Sequence, residues 1–284
     1  MLADVISALV RALSFIALFQ AAGIAIFIAI FGGQLELASA AVRRLGFVSA
    51  VAGIVLVSAH YLLEAARMAG ALAGVLDLSL QQLVFDSPMS AAWGLRIAGL
   101  ALIAASANSN ARPWTHLGLV GAALAVAGFL LVGHTAVHAQ RPWLAMLLSL
   151  HLAIIAFWFG ALAPLHLVSR QERAVVASQV VSDFSRIAGW WVPGILLAGA
   201  LLTVALVDRW AVFGEGYGLI LLGKVAAFAA LMGLAAANKY RYTPAMATAA
   251  GGTAFRRAVA TEYFLICAVL SATAVMTTFF SPEH

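Results

Sequence analysis

Charged side chains are scarce in this sequence of 284 residues. Only 10% of the residues are charged, whereas 64% are hydrophobic. A chain with so few charges cannot cover a folded core with a surface that water solvates. The composition therefore excludes a soluble globular protein and predicts a polytopic membrane protein.

The sequence also has only one cysteine, and it lacks the common nucleotide-binding motifs. The one cysteine, Cys267, excludes an intrachain disulfide and leaves the redox compartment open. A lone cysteine inside an apolar segment is interpreted as a small hydrophobic residue. The sequence holds neither a Walker A motif nor the DKTG motif of phosphorylated pumps, so we expect no step driven by ATP hydrolysis within these residues.

Long apolar segments occupy most of the sequence. A membrane-spanning helix needs about 20 apolar residues. Eight segments qualify, at roughly 5–31, 45–66, 90–107, 116–137, 144–168, 182–207, 217–238 and 256–280. The longest connection, about 67–89, is predicted to form a short amphipathic helix on the surface. We therefore predict an all-α polytopic bundle of about eight transmembrane helices, with residues 1–284 as a single integral membrane domain.

The basic residues outside these segments are distributed unevenly. Most follow odd-numbered segments, namely Arg43, Arg44, Arg112, Arg170, Arg173, Lys239, Arg241, Arg256 and Arg257. The opposite connections hold Arg67, Arg141 and Arg209. By the positive-inside rule the first set is cytoplasmic, so both termini face outward. The net charge of +5 is explained by this orientation, and we predict no nucleic-acid partner.

Four histidines fall near the outward ends of separate apolar segments. They are His60, His134, His138 and His151. Imidazole is a common metal ligand and is costly to place in lipid, so their convergence indicates a site. Residues four apart share a helix face, which aligns His60 with Glu64 and Met68, and His134 with His138. The sequence therefore predicts an outward-facing metal site, and the competing interpretation is that each histidine is solvated or structural by itself.

Other side chains are predicted to complete or support this site. Thioether sulfur prefers soft ions such as Cu(I), and Met68 and Met146 lie on the same side as the histidines. Glu64, Arg96 and Lys224 lie at a similar depth and supply supporting charges. Nearer the cytoplasmic surface, Arg186 and Glu262 are predicted to form a structural ion pair.

Two other classes of protein fit the same residues. In the first, a b-type haem is ligated from opposite sides by two histidines out of His60, His134 and His151. Its propionates are bound by Arg96 and Lys224. The chain would then be an electron carrier of the membrane. In the second, it is a scaffold subunit with no site. His116 and His166, at the cytoplasmic ends of their helices, are interpreted as solvated residues.

Several sequence blocks resemble one known family. They are WGLRIAGLALI around Arg96, DFSRIA at 183–188, YGLILLGKVAAFAALMGLAAANKYRYTP at 217–244, FRRAVATEYF at 255–264, GHTAVH at 133–138 and HLAIIAFWFGALAPL at 151–165. Together they are similar to the CopD family of bacterial copper-resistance membrane proteins. The likeness covers about residues 90–280, so His60 and Glu64 depend on the topology argument alone.

The resemblance implies a multi-pass protein of the bacterial inner membrane that handles copper. We therefore predict copper transport from periplasm to cytoplasm through the histidine site, with copper bound as Cu(I) or Cu(II) and both termini periplasmic. The chain is predicted not to be an enzyme. The expected partners are membrane lipid and a periplasmic copper carrier, because the sequence itself shows no soluble copper-binding domain.

Overall fold

Helices account for nearly all of the regular structure. The computed structural model of the chain describes residues 2–109, 111–206, 216–243 and 248–279, and these ranges contain no strand. The helices are α1 Leu2–Phe31, α2 Ser39–Ala69, α3 Leu78–Phe85, α4 Pro88–Ser106, α5 Arg112–Ala127, α6 His134–Val137, α7 Arg141–Gln171, α8 Ala174–Trp191, α9 Pro193–Leu206, α10 Gly216–Ala237 and α11 Ala249–Phe279. The predicted all-α class is confirmed.

Seven helical segments of the described residues are long and apolar enough to cross a membrane. They are Leu2–Gln34, Ser39–Ala69, Pro88–Ser106, Arg141–Gln171, Ala174–Ala205, Gly218–Tyr242 and Gly251–Phe279. Helices α8 and α9 form one of these segments together. A polytopic helix bundle is therefore confirmed, and seven of the eight predicted spans coincide with such segments.

The remaining predicted span, 116–137, is interrupted. Helix α5 has 16 residues and ends at Ala127, and the four-residue α6 begins only at His134. The interruption is stabilised from α4, because Arg96 Nη2 donates to the carbonyl oxygen of Gly128 at 3.2 Å. A Cβ atom at Gly128 would lie 2.7 Å from Arg96 Cγ, so this close approach requires glycine. Hydropathy could not show the break because residues 128–132 are themselves apolar or glycine.

Helix α1 lies at the centre of the bundle. It packs against α2, α4, α5, α7 and α11. Its contact with α7 is made by backbone, since a Cβ atom at Gly23 would lie 1.9 Å from the carbonyl oxygen of Ala156. A Cβ atom at Gly160 would lie 2.3 Å from Gly23 Cα. Small residues at both positions let two membrane helices approach this closely.

Polar contacts tie the helices together at both ends of the bundle. Where α1 begins and α2 and α11 end, Arg11 Nη1 donates to the carbonyl oxygen of Thr277 at 2.9 Å. We call this end the histidine side. At the opposite end, where α2 and α8 begin, Glu172 Oε1 accepts from the backbone N–H groups of residues 36–38 at 2.8 to 2.9 Å. We call that end the arginine side, because Arg43, Arg170 and Arg256 lie there.

The long connection on the histidine side contains the short helix α3. Asp77 begins it by accepting hydrogen bonds from Ser79 N at 2.9 Å and Leu80 N at 3.2 Å. The hydroxyl of Ser79 also donates to this carboxylate, and these bonds hold the pKa of Asp77 below its ordinary value. The connection predicted to carry a helix therefore has one, with a capped start.

Candidate metal site

Five helices each place one basic or imidazole side chain at nearly the same depth below the histidine side. These residues are Arg11 on α1, His60 on α2, Arg96 on α4, His151 on α7 and Lys224 on α10. Each lies eight to ten residues from the end of its helix on that side. At a rise of about 1.5 Å per residue, the common depth is about 12 to 15 Å. We call these five residues the polar layer.

His60 is buried in the polar layer and has partners at both ring nitrogens. Arg11 Nε donates to His60 Nε2 at 3.0 Å, and Ser7 Oγ lies 3.5 Å from Nδ1. Glu64 Oε1 lies 3.6 Å from Nε2, one helical turn away on α2. The lone pair of Nε2 with which His60 would bind a metal is therefore occupied by the Arg11 hydrogen bond.

Arg11 is the residue of this group that the sequence analysis missed. It joins three helices, because its Nη1 also donates to Thr277 Oγ1 at 3.2 Å and Thr278 Oγ1 at 3.1 Å on α11. The sequence did indicate a role for Arg11, since an arginine inside the first apolar segment must find polar partners there.

Glu64 pairs with arginines near the histidine side and not with the other two predicted supporting charges, Arg96 and Lys224, among the described contacts. It pairs with Arg67 at 2.9 Å and with Arg11 at 3.4 Å. Arg67 in turn lies 3.7 Å from Asp4 at the start of α1. This network links α1 to the end of α2 and does not extend to Lys224.

Arg96 is almost fully buried, with 9% of its surface exposed. Its guanidinium carbon lies 4.1 Å from the centre of the Phe129 ring, and its Nη2 binds the freed carbonyl of Gly128. Its Nε finds no hydrogen-bond partner in the described structure. Arg96 interacts electrostatically with both His60 and Arg11, so the environment of His60 repels additional positive charge.

His151 is held differently and keeps one nitrogen available. Its Nδ1 lies 3.1 Å from the carbonyl oxygen of Ile195 on α9. A carbonyl can only accept, so Nδ1 carries the proton and the lone pair is on Nε2, to which no described residue makes a hydrogen bond. A backbone carbonyl that fixes the tautomer in this way is the usual support of a metal-binding histidine. The ring packs beside Gly199 on α9, where a Cβ atom would lie 3.4 Å from His151 Cε1.

The other predicted ligands lie outside the polar layer. His138 directly follows α6 and has an extended backbone, and its predicted alignment with His134 on one helix face stays a prediction. Its Nδ1 accepts from Gln140 N at 3.0 Å. His134 begins α6, and its side chain lies outside the described residues. Met68 and Met146 are more than half exposed on the surface of the bundle.

The described side chains of His60, His138 and His151 do not together form a metal site. Among the described residues, no three side chains of His, Cys, Asp or Glu are close enough to hold one metal ion. His60 belongs to the part of the polar layer formed by α1, α2 and α4. His151 belongs to the part formed by α7, α9 and α10, where Lys224 interacts with it electrostatically.

The predicted ion pair between Arg186 and Glu262 is wrong. Arg186 pairs with Asp183, three residues earlier on α8. Glu262 is buried and accepts a hydrogen bond from Asn238 Nδ2 at the end of α10. The two residues have similar depths, but Arg186 is exposed whereas Glu262 is buried, and depth alone does not specify a partner.

These features define a multi-pass helical membrane protein with imidazole and guanidinium groups buried between its helices. The family profile described as Copper resistance protein D matches residues 178–276. The profile described as Copper resistance protein D-like, N-terminal domain, matches residues 1–141. The chain belongs to the CopD family.

One curated relative supports the same assignment. Copper resistance protein D of Pseudomonas syringae pv. tomato is 31% identical over 193 residues, which is 63% of this chain. The aligned region spans 62% of the length of that relative. No solved structure matches the chain. The N-terminal match extends the resemblance to α1 and α2, which carry Arg11 and His60.

Proposed function

We propose that this protein transports copper across the bacterial inner membrane, from the periplasm to the cytoplasm. The observation that carries the proposal is the similarity of both halves of the chain to copper resistance protein D. The polar layer supports it, because two imidazoles placed inside membrane helices are otherwise costly and need a role. The proposal assigns no catalytic step to the chain.

In this proposal the histidine side faces the periplasm. The connections on the arginine side carry most of the basic residues, and basic connections remain in the cytoplasm. Both termini are then periplasmic. Copper arriving from a periplasmic carrier, or as the free ion, would meet His134 and His138 near the surface before the deeper histidines.

His151 is proposed as the first deep ligand and His60 as the second. His151 Nε2 has a free lone pair, whereas His60 Nε2 must first lose the hydrogen bond from Arg11. When the Arg11 guanidinium releases His60, it keeps other hydrogen-bond acceptors. Its terminal nitrogens already contact Glu64, Thr277 and Thr278. The cations of the polar layer favour Cu(I) over Cu(II), since repulsion scales with the charge of the ion. Met68 and Met146, on the outer surface, serve as transient soft contacts in this proposal.

A b-type haem protein is a second candidate, favoured by one observation. Arg96 and Lys224 lie in the polar layer with His60 and His151, and haem propionates need cations beside the ligating histidines. A visible spectrum of the purified protein, as isolated and after dithionite, separates the candidates. Stoichiometric haem bands would replace the transport proposal with an electron carrier, whereas bound Cu(I) gives no such bands.

Transport is tested directly in proteoliposomes. We expect vesicles containing the purified chain to accumulate copper, supplied as Cu(I) with a weak chelator, faster than vesicles without protein. A luminal Cu(I) indicator reports the rate, and the His151→Ala variant reconstituted at equal density is the matched control. Equal rates for the protein-containing and protein-free vesicles would contradict transport by this chain alone.

Orientation is tested by labelling in intact cells. We expect a cysteine placed at Gln140 to react with an impermeant maleimide, and one placed at Tyr240 to react only after the inner membrane is opened. The reference protein carries Cys267→Ala, so that the introduced thiol is the one labelled. The reverse pattern would put the histidine side in the cytoplasm and exclude uptake by the proposed route.

A further inference from the structure

A groove of about 680 Å³ opens on the arginine side, between α8 and the end of α10. Ser178, Ser182 and Ser185 line it from α8, with spacings of four and three residues that place them on one helix face. None of these three hydroxyl groups makes a hydrogen bond to another described residue. The wall on α8 therefore offers a row of unused hydrogen-bond donors.

Two cations complete the lining of this groove. Lys239 Nζ lies against the backbone of α8, because a Cβ atom at Gly189 would be 3.2 Å from it. Lys239 has no ion-pair partner in the described part of the chain. Arg186 is bound on one edge to Asp183, yet its side chain is 73% exposed and its other N–H groups remain available. Among the described residues that line the groove there is no carboxylate.

This combination of groups is suited to phosphate. Phosphate oxygens accept strong charge-assisted hydrogen bonds from guanidinium and ammonium groups, and hydroxyl groups supply the rest. The described residues that line the groove include no imidazole, thiol or thioether that would bind copper, so the groove has a different ligand from the one proposed for the polar layer.

The groove reaches Tyr240, on the arginine side, and two of its lining residues are exposed aromatic side chains. Trp190 is 84% exposed and Tyr240 is 75% exposed, and both line the groove. Exposed Trp and Tyr side chains concentrate where the membrane meets water. We propose that the groove binds a phosphate group, supplied by an anionic phospholipid of the leaflet on the arginine side, with Lys239 and Arg186 as its charged ligands.

The proposal is tested by lipid retention. We expect native mass spectrometry of the detergent-solubilised protein to show one phosphatidylglycerol that Arg186→Gln/Lys239→Gln has lost. The affinity for added phosphatidylglycerol should fall about tenfold or more, as expected when charged hydrogen bonds to a ligand are removed. Arg44→Gln/Arg241→Gln removes the same charge from the same side outside the groove, and should retain the lipid.

Three further measurements make the result decisive. Phosphatidylcholine should bind the unmodified protein more weakly than phosphatidylglycerol, since it carries no net charge. Inorganic phosphate that displaces the lipid at equal concentration would assign the site to a soluble phosphate compound and overturn the lipid part of the proposal. Ser182→Leu narrows the groove without changing its charge and should also lose the lipid. Equal retention by the charge variant and its control would overturn the phosphate site itself.

Discussion

His151→Ala is expected to weaken copper binding by about 100-fold or more, because loss of even a residue that only hydrogen-bonds to a metal ligand costs about 10- to 100-fold. The expectation depends on the free Nε2 of His151 and on the carbonyl of Ile195 that fixes its tautomer. Competition with a Cu(I) chelator of known affinity measures the effect on purified protein. His166→Ala, on the same helix at the arginine side, should leave the affinity nearly unchanged.

The same measurement decides whether the histidines form one site. If His60 joins His151 when copper binds, His60→Ala and His151→Ala each remove most of the affinity, and the double variant is little worse than either single one. Fully additive losses would mean two independent sites. Unchanged affinity in both single variants, with normal folding, would rule out the deep site.

Arg11→Met is expected to strengthen copper binding by about tenfold, which corresponds to about 1.4 kcal/mol. The substitution frees the Nε2 lone pair of His60 and removes one positive charge beside it. The hydrogen bonds from Arg11 to Thr277 and Thr278 are lost at the same time, so the melting temperature should fall. Glu64 still forms its ion pair with Arg67 in this variant, so the Glu64 carboxylate is not left as an isolated charge.

Two controls separate this effect from a general loosening of the bundle. Arg67→Met also removes a partner of Glu64 but no hydrogen bond to His60, and it should change copper affinity much less than Arg11→Met does. His60→Ala in the Arg11→Met background should cancel the gain. If Arg11→Met instead weakens copper binding, Arg11 supports the site and the proposed exchange at His60 is incorrect.

Local properties of the sequence account for what could be predicted of the fold. A run of about 20 apolar residues is long enough to span the membrane whatever its neighbours are, so the bundle was predictable. The end of α5 at Ala127 was not predictable, because it is stabilised by a hydrogen bond from Arg96 on α4 to Gly128, which directly follows α5. Apolar composition records the tendency to enter lipid and contains no information about such a contact.

The candidate site was predictable in depth but not in its contacts. The topology argument required four residues to lie at the same depth below the histidine side. Their positions along their helices agree with it, namely those of His60, His151, Arg96 and Lys224. Depth does not specify which direction a side chain faces, so Glu262 was assigned to Arg186 rather than to Asn238. The actual partner of Arg186 has the spacing of an ordinary ion pair within one helix, which the sequence does show.

The backbone contact between Gly23 and Gly160 restricts how the bundle can change shape. With no side chain between them, α1 and α7 cannot move closer, and moving apart would open a void between the two helices. Rotation about the crossing is the movement that preserves the contact. His151 lies nine residues before Gly160, about 13 Å along α7, so a rotation of about 10° shifts His151 by about 2 Å. Rotation of α7 about the contact between Gly23 and Gly160 therefore moves His151 relative to the helices that hold His60.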